Sequence, residues 1–196
     1  MAKSNWGITS GFIGKLGNVV GFNWKGINLQ RALTKSTDPH TEKQLLQRAK
    51  FALAGKLGSV VYEAVYVGFR SEAAEHRSTQ SGLFLKYNLE NLSGTAEAIT
   101  VNYEALKLSS DKLRGVSFGT PVLNGSTVSV GVTNTANTCR RVSMADRVYL
   151  CALCPEMEES VCNTVGTRAD SNVSLTIPAT WGNHRVYVYG FVIGAS

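Results

Sequence analysis

The sequence predicts an α+β protein with an N-terminal β-hairpin arm and two or so helices, followed by an immunoglobulin/fibronectin-like β-sandwich. Three observations carry this reading. Glycine recurs through the first thirty residues too often for a helix, apolar residues then recur at three- and four-residue steps, and from residue 98 onward they alternate with Ser and Thr. Boundaries are expected at 1–40 for the arm, 41–112 for the helical region with a connecting strand, and 113–196 for the sandwich.

In the arm, Gly7, Gly11, Gly14, Gly17, Gly21 and Gly26 would each cost a helix about 1 kcal/mol relative to Ala. Residues 18–24 and 27–33 are extended runs separated by Lys25-Gly26, a two-residue hairpin turn in which Gly supplies a positive φ. One face of that hairpin collects Val20, Phe22, Trp24, Ile27 and Leu29, an apolar patch with little local partner. These five are the expected subunit-interface residues.

Thr37-Asp38-Pro39-His40 breaks the pattern, and Thr41-Glu42-Lys43-Gln44 matches a capping box. Leu46, Ala49, Leu53, Leu57, Val60, Val61 and Ala64 then follow the spacing of one helix face, with Gly55 and Gly58 as places for a kink or a close neighbour. A second helix is expected from Ser78-Thr79, carrying Leu83, Phe84, Tyr87 and Leu92 before Ser93-Gly94 ends it. Residues 99–103 read as a connecting strand.

Six or seven short strands are expected in the last eighty residues. Val128, Val130 and Val132, like Val173, Leu175 and Ile177, alternate with polar or small residues, so one face is buried and the other wet. Residues 186–193 are apolar enough for a central strand. Turns are expected at Asn124-Gly125, at Gly166 and at Trp181-Gly182-Asn183.

Charge separates the segments more sharply than hydropathy does. The formal net charge is +6, and the first fifty residues hold all of the excess: eight Lys/Arg against Asp38 and Glu42. Such a one-signed field attracts acidic neighbours or polyanions. Lys15, Lys25, Arg31 and Arg48 are the expected basic contacts. With Trp6, Phe12, Phe22 and Trp24 they also fit single-strand binding, cations tracking phosphates and rings stacking on bases; the preferred reading takes the rings as apolar anchors.

Hydrophobic residues make up 43% and charged residues 17%, below the roughly 25% of ordinary soluble domains, which argues for buried surface and against disorder. No apolar run meets the length of a signal peptide or a membrane span, so neither secretion by a signal peptide nor a membrane partner is expected. The expected location is a virion or the cytoplasm of the producing bacterial cell.

Catalytic motifs do not complete themselves. Gly14-Lys15 is followed by Leu16 where a phosphate loop needs Ser or Thr, and no Gly-x-Ser-x-Gly setting is present. Gly11-Phe12-Ile13-Gly14 echoes an RNA-clamping loop but has apolar middle residues and no matching order of elements. His40, His76 and His184 are scattered. Glu156-Met157-Glu158-Glu159 reads as a solvated turn, not a calcium loop. Cys139, Cys151, Cys154 and Cys162 all fall in the last third; Cys151 and Cys154 form a lone C-x-x-C on a strand-like run, where positions three apart point to opposite faces. They read as small packing residues. No enzyme activity, cofactor, metal or small-molecule substrate is expected.

Gly11-Phe12-Ile13-Gly14-Lys15-Leu16-Gly17-Asn18-Val19-Val20-Gly21, Trp24-Lys25-Gly26, Arg31, Thr41-Glu42-Lys43-Gln44 and Gln47-Arg48-Ala49-Lys50-Phe51 together resemble an uncharacterised family encoded in Bacteroides-type gut bacteria and, as an expectation, in their phages. The likeness continues at Tyr87-Asn88-Leu89 and more loosely at 186–191; the cysteines depart from it. That family carries no established activity, so the resemblance implies an architecture. The resulting expectation is a non-enzymatic structural subunit, a phage virion component such as a head-to-tail connector, ring or tail protein. Its expected partners are copies of itself and other structural proteins. The alternative is a nucleic-acid-binding accessory protein using the same basic arm.

Overall fold

The computed structural model describes residues 3–6, 10–34, 41–110, 116–134, 143–182 and 184–194. The chain forms two compact units, Met1–Thr41 and Glu42–Ser196. Helix accounts for 31% and strand for 40%, the strands in several antiparallel sheets, so the α+β class holds.

The first unit is a four-stranded antiparallel meander, β1 (Lys3–Trp6), β2 (Ser10–Leu16), β3 (Val19–Trp24) and β4 (Ile27–Ala32), in that spatial order. The expected hairpin is present, with Trp24 opposite Ile27. Lys25 and Gly26 turn the chain with φ of 47° and 82°, the two positive values of a type I′ turn. Instead of a lone hairpin, however, the arm is a full sheet. Glycines interrupt the apolar alternation of β2, and β1, with Trp6 its only large apolar residue, shows none.

In the second unit the described chain has four α-helices where two or so helices were expected: α1 (Glu42–Val60), α2 (Tyr62–Gly68), α3 (Arg70–Glu75) and α4 (Gln80–Asn88). The first three form one bent track. Backbone N–H groups of Val61, Val65, Phe69 and Ala73 donate to the carbonyls of Leu57, Val61, Val65 and Phe69 at 2.9–3.1 Å, so the i→i−4 ladder passes through both breaks. All of those residues are buried, a single row that the bends keep against the core. The bends fall at Val61 and Phe69 and not at Gly55 or Gly58. Gly58 instead makes room for the Phe84 ring of α4, and Gly68 lies where a Cβ would collide with the Leu108 carbonyl oxygen.

Helix α4 starts as expected, Thr79 Oγ1 accepting the Gly82 N–H at 3.1 Å. It stops earlier than expected: Leu92 belongs to β5 (Leu92–Gly94), which pairs with β6 (Ile99–Val101). Asn88 accounts for the stop. Fully buried, its Nδ2 donates to the carbonyls of Phe84 and Lys107 at 2.9 and 2.8 Å, and its Oδ1 accepts the Lys107 N–H at 2.8 Å. One side chain thereby fastens the helix end to the returning chain and satisfies both backbone groups of Lys107, which lies in no helix or ladder.

Seven strands follow: β7 (Val116–Phe118), β8 (Val122–Asn124), β9 (Thr127–Asn134), β10 (Arg147–Cys154), β11 (Glu159–Thr167), β12 (Asn172–Thr176) and β13 (Tyr187–Ile193). They form a three-stranded sheet in the order β11-β10-β13 and a four-stranded one in which β9 pairs with β12, β7 and β8. Val128, Val130, Val132, Val173, Leu175 and Ile177 are buried as their alternation predicted. The strand expected to be central, 186–193, is instead an edge of its sheet, and β10 is central. From Val148 to Cys154 every residue of β10 is buried. Val148, Leu150, Ala152 and Cys154 pack with Val128, Val130, Leu175 and Trp181 of the other sheet's side. Tyr149, Cys151 and Leu153 pack with Leu57, Val61, Val65 and Phe69 of the helices. Three layers result: helices, three-stranded sheet, four-stranded sheet.

Gly166, expected to mark a turn, lies inside β11. Val148 pairs with Gly166 but Tyr149 with Thr164, so Val165 is the extra residue of a β-bulge. Beyond the bulge, buried Arg168 donates its N–H to the Asp146 carbonyl at 2.8 Å and pairs its guanidinium with the Asp146 carboxylate at 3.3 Å, closing the end of β10 and β11.

Two outcomes test this packing. Gly68→Ala should cost about 1–3 kcal/mol in urea unfolding because the new methyl meets backbone that cannot yield, whereas Gly55→Ala, with open space around it, should gain about 0.5–1 kcal/mol. Burial raises the Tyr149 phenol to about 12. A raised phenol pKa means that the folded state holds its proton longer than the unfolded one, so stability is full below pH 10 and falls as pH rises toward 12. Tyr149→Phe, which keeps the stack on Phe191 at 5.0 Å between ring centroids, should flatten that alkaline loss in denaturation curves recorded from about pH 9 to 12.

Candidate interaction surface

The register of the N-terminal sheet decides which arm residues share a face. Phe22 pairs with Leu29 and Trp24 with Ile27, while Val20 lies between Lys15 on β2 and Arg31 on β4. Directly opposite residues point to the same side of a sheet. The five expected interface residues therefore form one surface, with Lys15 and Arg31 as a cationic row at one end. At the other end the Lys25 ammonium sits 6.0 Å from the centre of the Trp24 ring, the outer limit of cation–π attraction. Arg48 belongs to the second unit, where it is an exposed residue of α1.

Exposure matters more than identity here. Phe22 is 37% exposed, Trp24 46%, Ile27 38% and Leu29 40%, and Val20 is half-buried. A four-stranded sheet has only two faces, and this one carries its large apolar side chains uncovered.

The reverse face is mixed, with Leu16 of β2 exposed opposite Val19, and it is tightly made. It presents Val19, Gly21 and Asn23 beside Asn28, Gln30 and Ala32. Asn23 Nδ2 donates to Asn28 Oδ1 at 2.8 Å, and Asn23 Oδ1 accepts the Gly26 N–H at 3.1 Å, so one side chain braces strand pair and turn. Gly21 is buried because β2 crosses it closely: a Cβ there would collide with the Phe12 carbonyl oxygen and fall 2.9 Å from the Phe12 ring. The Phe12 ring thus lies on the reverse face, away from Phe22 and Trp24. The side chain of Trp6 is outside the described residues.

The DUF6266 family model, described as a family of unknown function, matches residues 9–195. The chain belongs to this family. No curated protein and no solved structure matches it.

The DUF6266 match spans both units, and the positions that prompted the family resemblance divide by role. Gly21, Trp24-Lys25-Gly26 and Arg31 build or line the arm sheet. Tyr87 and Asn88 are internal fastenings, the Tyr87 hydroxyl donating to the buried Glu72 carboxylate at 2.7 Å. Gln47, Arg48 and Phe51 lie exposed on α1, where Leu45 is exposed too. The periodic face of α1 is half-buried at Leu46, Ala49 and Leu53 and fully buried only from Ala54. This gradient is not legible in the sequence, because periodicity marks a face without saying how far along it the cover extends.

The remaining candidates are dispersed. Among the described residues no group of His, Cys, Asp and Glu is placed to hold a metal ion, and no helix is long and apolar enough to cross a membrane. Cys151 and Cys154 point into different clusters on opposite faces of β10, as their spacing predicted; Cys139 and His40 lie outside the described residues. His184 pairs with the Glu156 carboxylate, Lys56 with Glu158, and Glu159 accepts the indole N–H of buried Trp181 at 2.9 Å. The acidic group is therefore a turn tied to its own chain.

Gly21→Ala should disorder the arm sheet alone. Trypsin should then cut faster after Lys15, Lys25 and Arg31, while the thermal transition of the second unit stays where it is in the parent protein.

Proposed function

We propose that this DUF6266 chain is a structural subunit of a larger assembly, using its N-terminal sheet to join copies of itself and other structural proteins. One observation carries the reading: Phe22, Trp24, Ile27 and Leu29 lie uncovered on a single face, flanked by Lys15, Arg31 and Lys25. Large aromatic anchors inside a charged rim are what protein interfaces are made of. The cations favour acidic neighbours and orient the encounter.

Two finer elements complete the proposal. The two C-terminal sheets, facing each other across Val128, Val130, Leu150 and Leu175, fit an immunoglobulin- or fibronectin-like sandwich with helices added on one side. The setting of a phage virion, as connector, ring or tail protein, rests on the family resemblance, and the exposed arm supports only the assembly role itself.

Exposed rings beside Lys15 and Arg31 also support the second reading, single-strand nucleic-acid binding. The two separate experimentally. Native mass spectrometry of the full chain should show concentration-dependent oligomers that Phe22→Ser with Trp24→Ser reduces to monomer, the circular dichroism of the helices being unchanged. Oligomers that survive the double substitution, or a strict monomer at high concentration with a protease-sensitive arm, would count against self-assembly. Fluorescence anisotropy with labelled DNA supplies the other arm: contacts from Lys15, Lys25, Arg31 and Arg48 to duplex phosphates would give a log–log salt slope of about −3 to −4. A slope of that size with a preference for single strands would favour the nucleic-acid reading over assembly.

A further inference from the structure

A second site lies in the larger unit and does not depend on the proposed assembly role. Cys151 on β10 and Cys162 on β11 are direct cross-strand partners, and their Sγ atoms are 2.7 Å apart. Opposite residues of an antiparallel pair place their Cβ atoms at about 4.5–5.5 Å, and a disulfide asks for about 3.5–4.5 Å. A small closing motion therefore suffices.

The two thiols are unequally placed. Cys151 is fully buried among Leu57, Val61 and Tyr149, whereas Cys162 is half-buried at the margin of the same cluster. The hydrogen bond with Cys151 lowers the Cys162 thiol, against burial and the Glu63 carboxylate, and the Cys162 S–H also points at the Ser160 oxygen, 3.9 Å away. The same contact, reinforced by burial, raises Cys151. Ser160 is itself held in place, its hydroxyl donating to the Val60 carbonyl at the end of α1 at 2.7 Å. Cys162, the more exposed sulfur, is the one a peroxide reaches first, and buried Cys151 is placed beside it as the resolving partner.

We infer that Cys151 and Cys162 form a reversible cross-strand disulfide when the protein meets a hydroperoxide. The Cys162 thiolate attacks one peroxide oxygen; an S–O bond forms, the O–O bond breaks, and the departing hydroxide takes a proton from solvent. The Cys151 sulfur then attacks the sulfenic sulfur of Cys162. The S–S bond forms, the S–O bond breaks, and hydroxide leaves with the Cys151 proton as water. Two electrons pass from the two thiols to the peroxide, and a dithiol reductant returns them. Cys154 cannot compete, because it faces the opposite cluster of β10.

Peptide mapping of the full-length protein tests this. After hydrogen peroxide treatment and alkylation under denaturing, non-reducing conditions, trypsin followed by a glutamate-specific protease separates Cys162 from Cys151 and Cys154 at Glu156, Glu158 and Glu159. The expected product is a Cys151–Cys162 linked pair, two hydrogens lighter than its reduced components, lost on adding dithiothreitol, with Cys154 alkylated. In Cys162→Ser the link should vanish and Cys151 should remain alkylatable. A bridge through Cys154 or Cys139, a sulfinic Cys162 beside a free Cys151, or both thiols still alkylatable after peroxide treatment would overturn the inference. The mapping on the parent protein decides the matter even where the Ser variant fails to fold.

Discussion

The larger unit is organised by the need to cover both faces of one strand. β10 runs Val148-Tyr149-Leu150-Cys151-Ala152-Leu153-Cys154 without a polar side chain that must reach water, so neither face can be left open. One face takes the β9 and β12 side, with Val128, Val130 and Leu175; the other takes the bent helical track, with Val61, Val65 and Phe69. Other features follow from that demand. The helical track bends because a straight rod could not keep Val61, Val65, Phe69 and Ala73 on the sheet, and Gly68 lets the chain near Leu108 close over the bend. The buried Asp146–Arg168 pair closes the end of the β10–β11 ladder.

The N-terminal sheet obeys the same physics with the opposite outcome. Its reverse face is braced internally, by the Asn23–Asn28 bond, the turn and the close crossing of Phe12 over Gly21. Its other face has Phe22, Trp24, Ile27 and Leu29 exposed along it. Uncovered apolar area in a region that also concentrates the molecule's positive charge is what the proposed assembly role rests on. The arm has settled its backbone and its turns alone.

How much of this can be read in the residues depends on the range of the interaction. Lys25-Gly26 announces its turn, Thr79 its helix start, and Val128, Val130 and Val132 their buried face; each is decided within a few residues. The shared face of Val20, Phe22, Trp24, Ile27 and Leu29 follows from a two-residue turn and the period of a strand. Less visible is Cys162. With a hairpin turning between Glu156 and Met157, residue 151 must face residue 162, yet the C-x-x-C spacing draws notice to Cys154 instead.

By itself the sequence determined the α+β class, the extent of helix and strand periodicity, the basic arm with its apolar face, and the opposite orientations of Cys151 and Cys154, because all of these arise from backbone geometry and charge along the chain. Only the tertiary structure decided that β10 and not residues 186–193 is the central strand, that the helical track bends at Val61 and Phe69, that Leu92 leaves the helix for a strand, and that Cys151 meets Cys162. Those outcomes depend on which distant surfaces cover one another, and burial on two sides leaves the same apolar run in the sequence as burial on one.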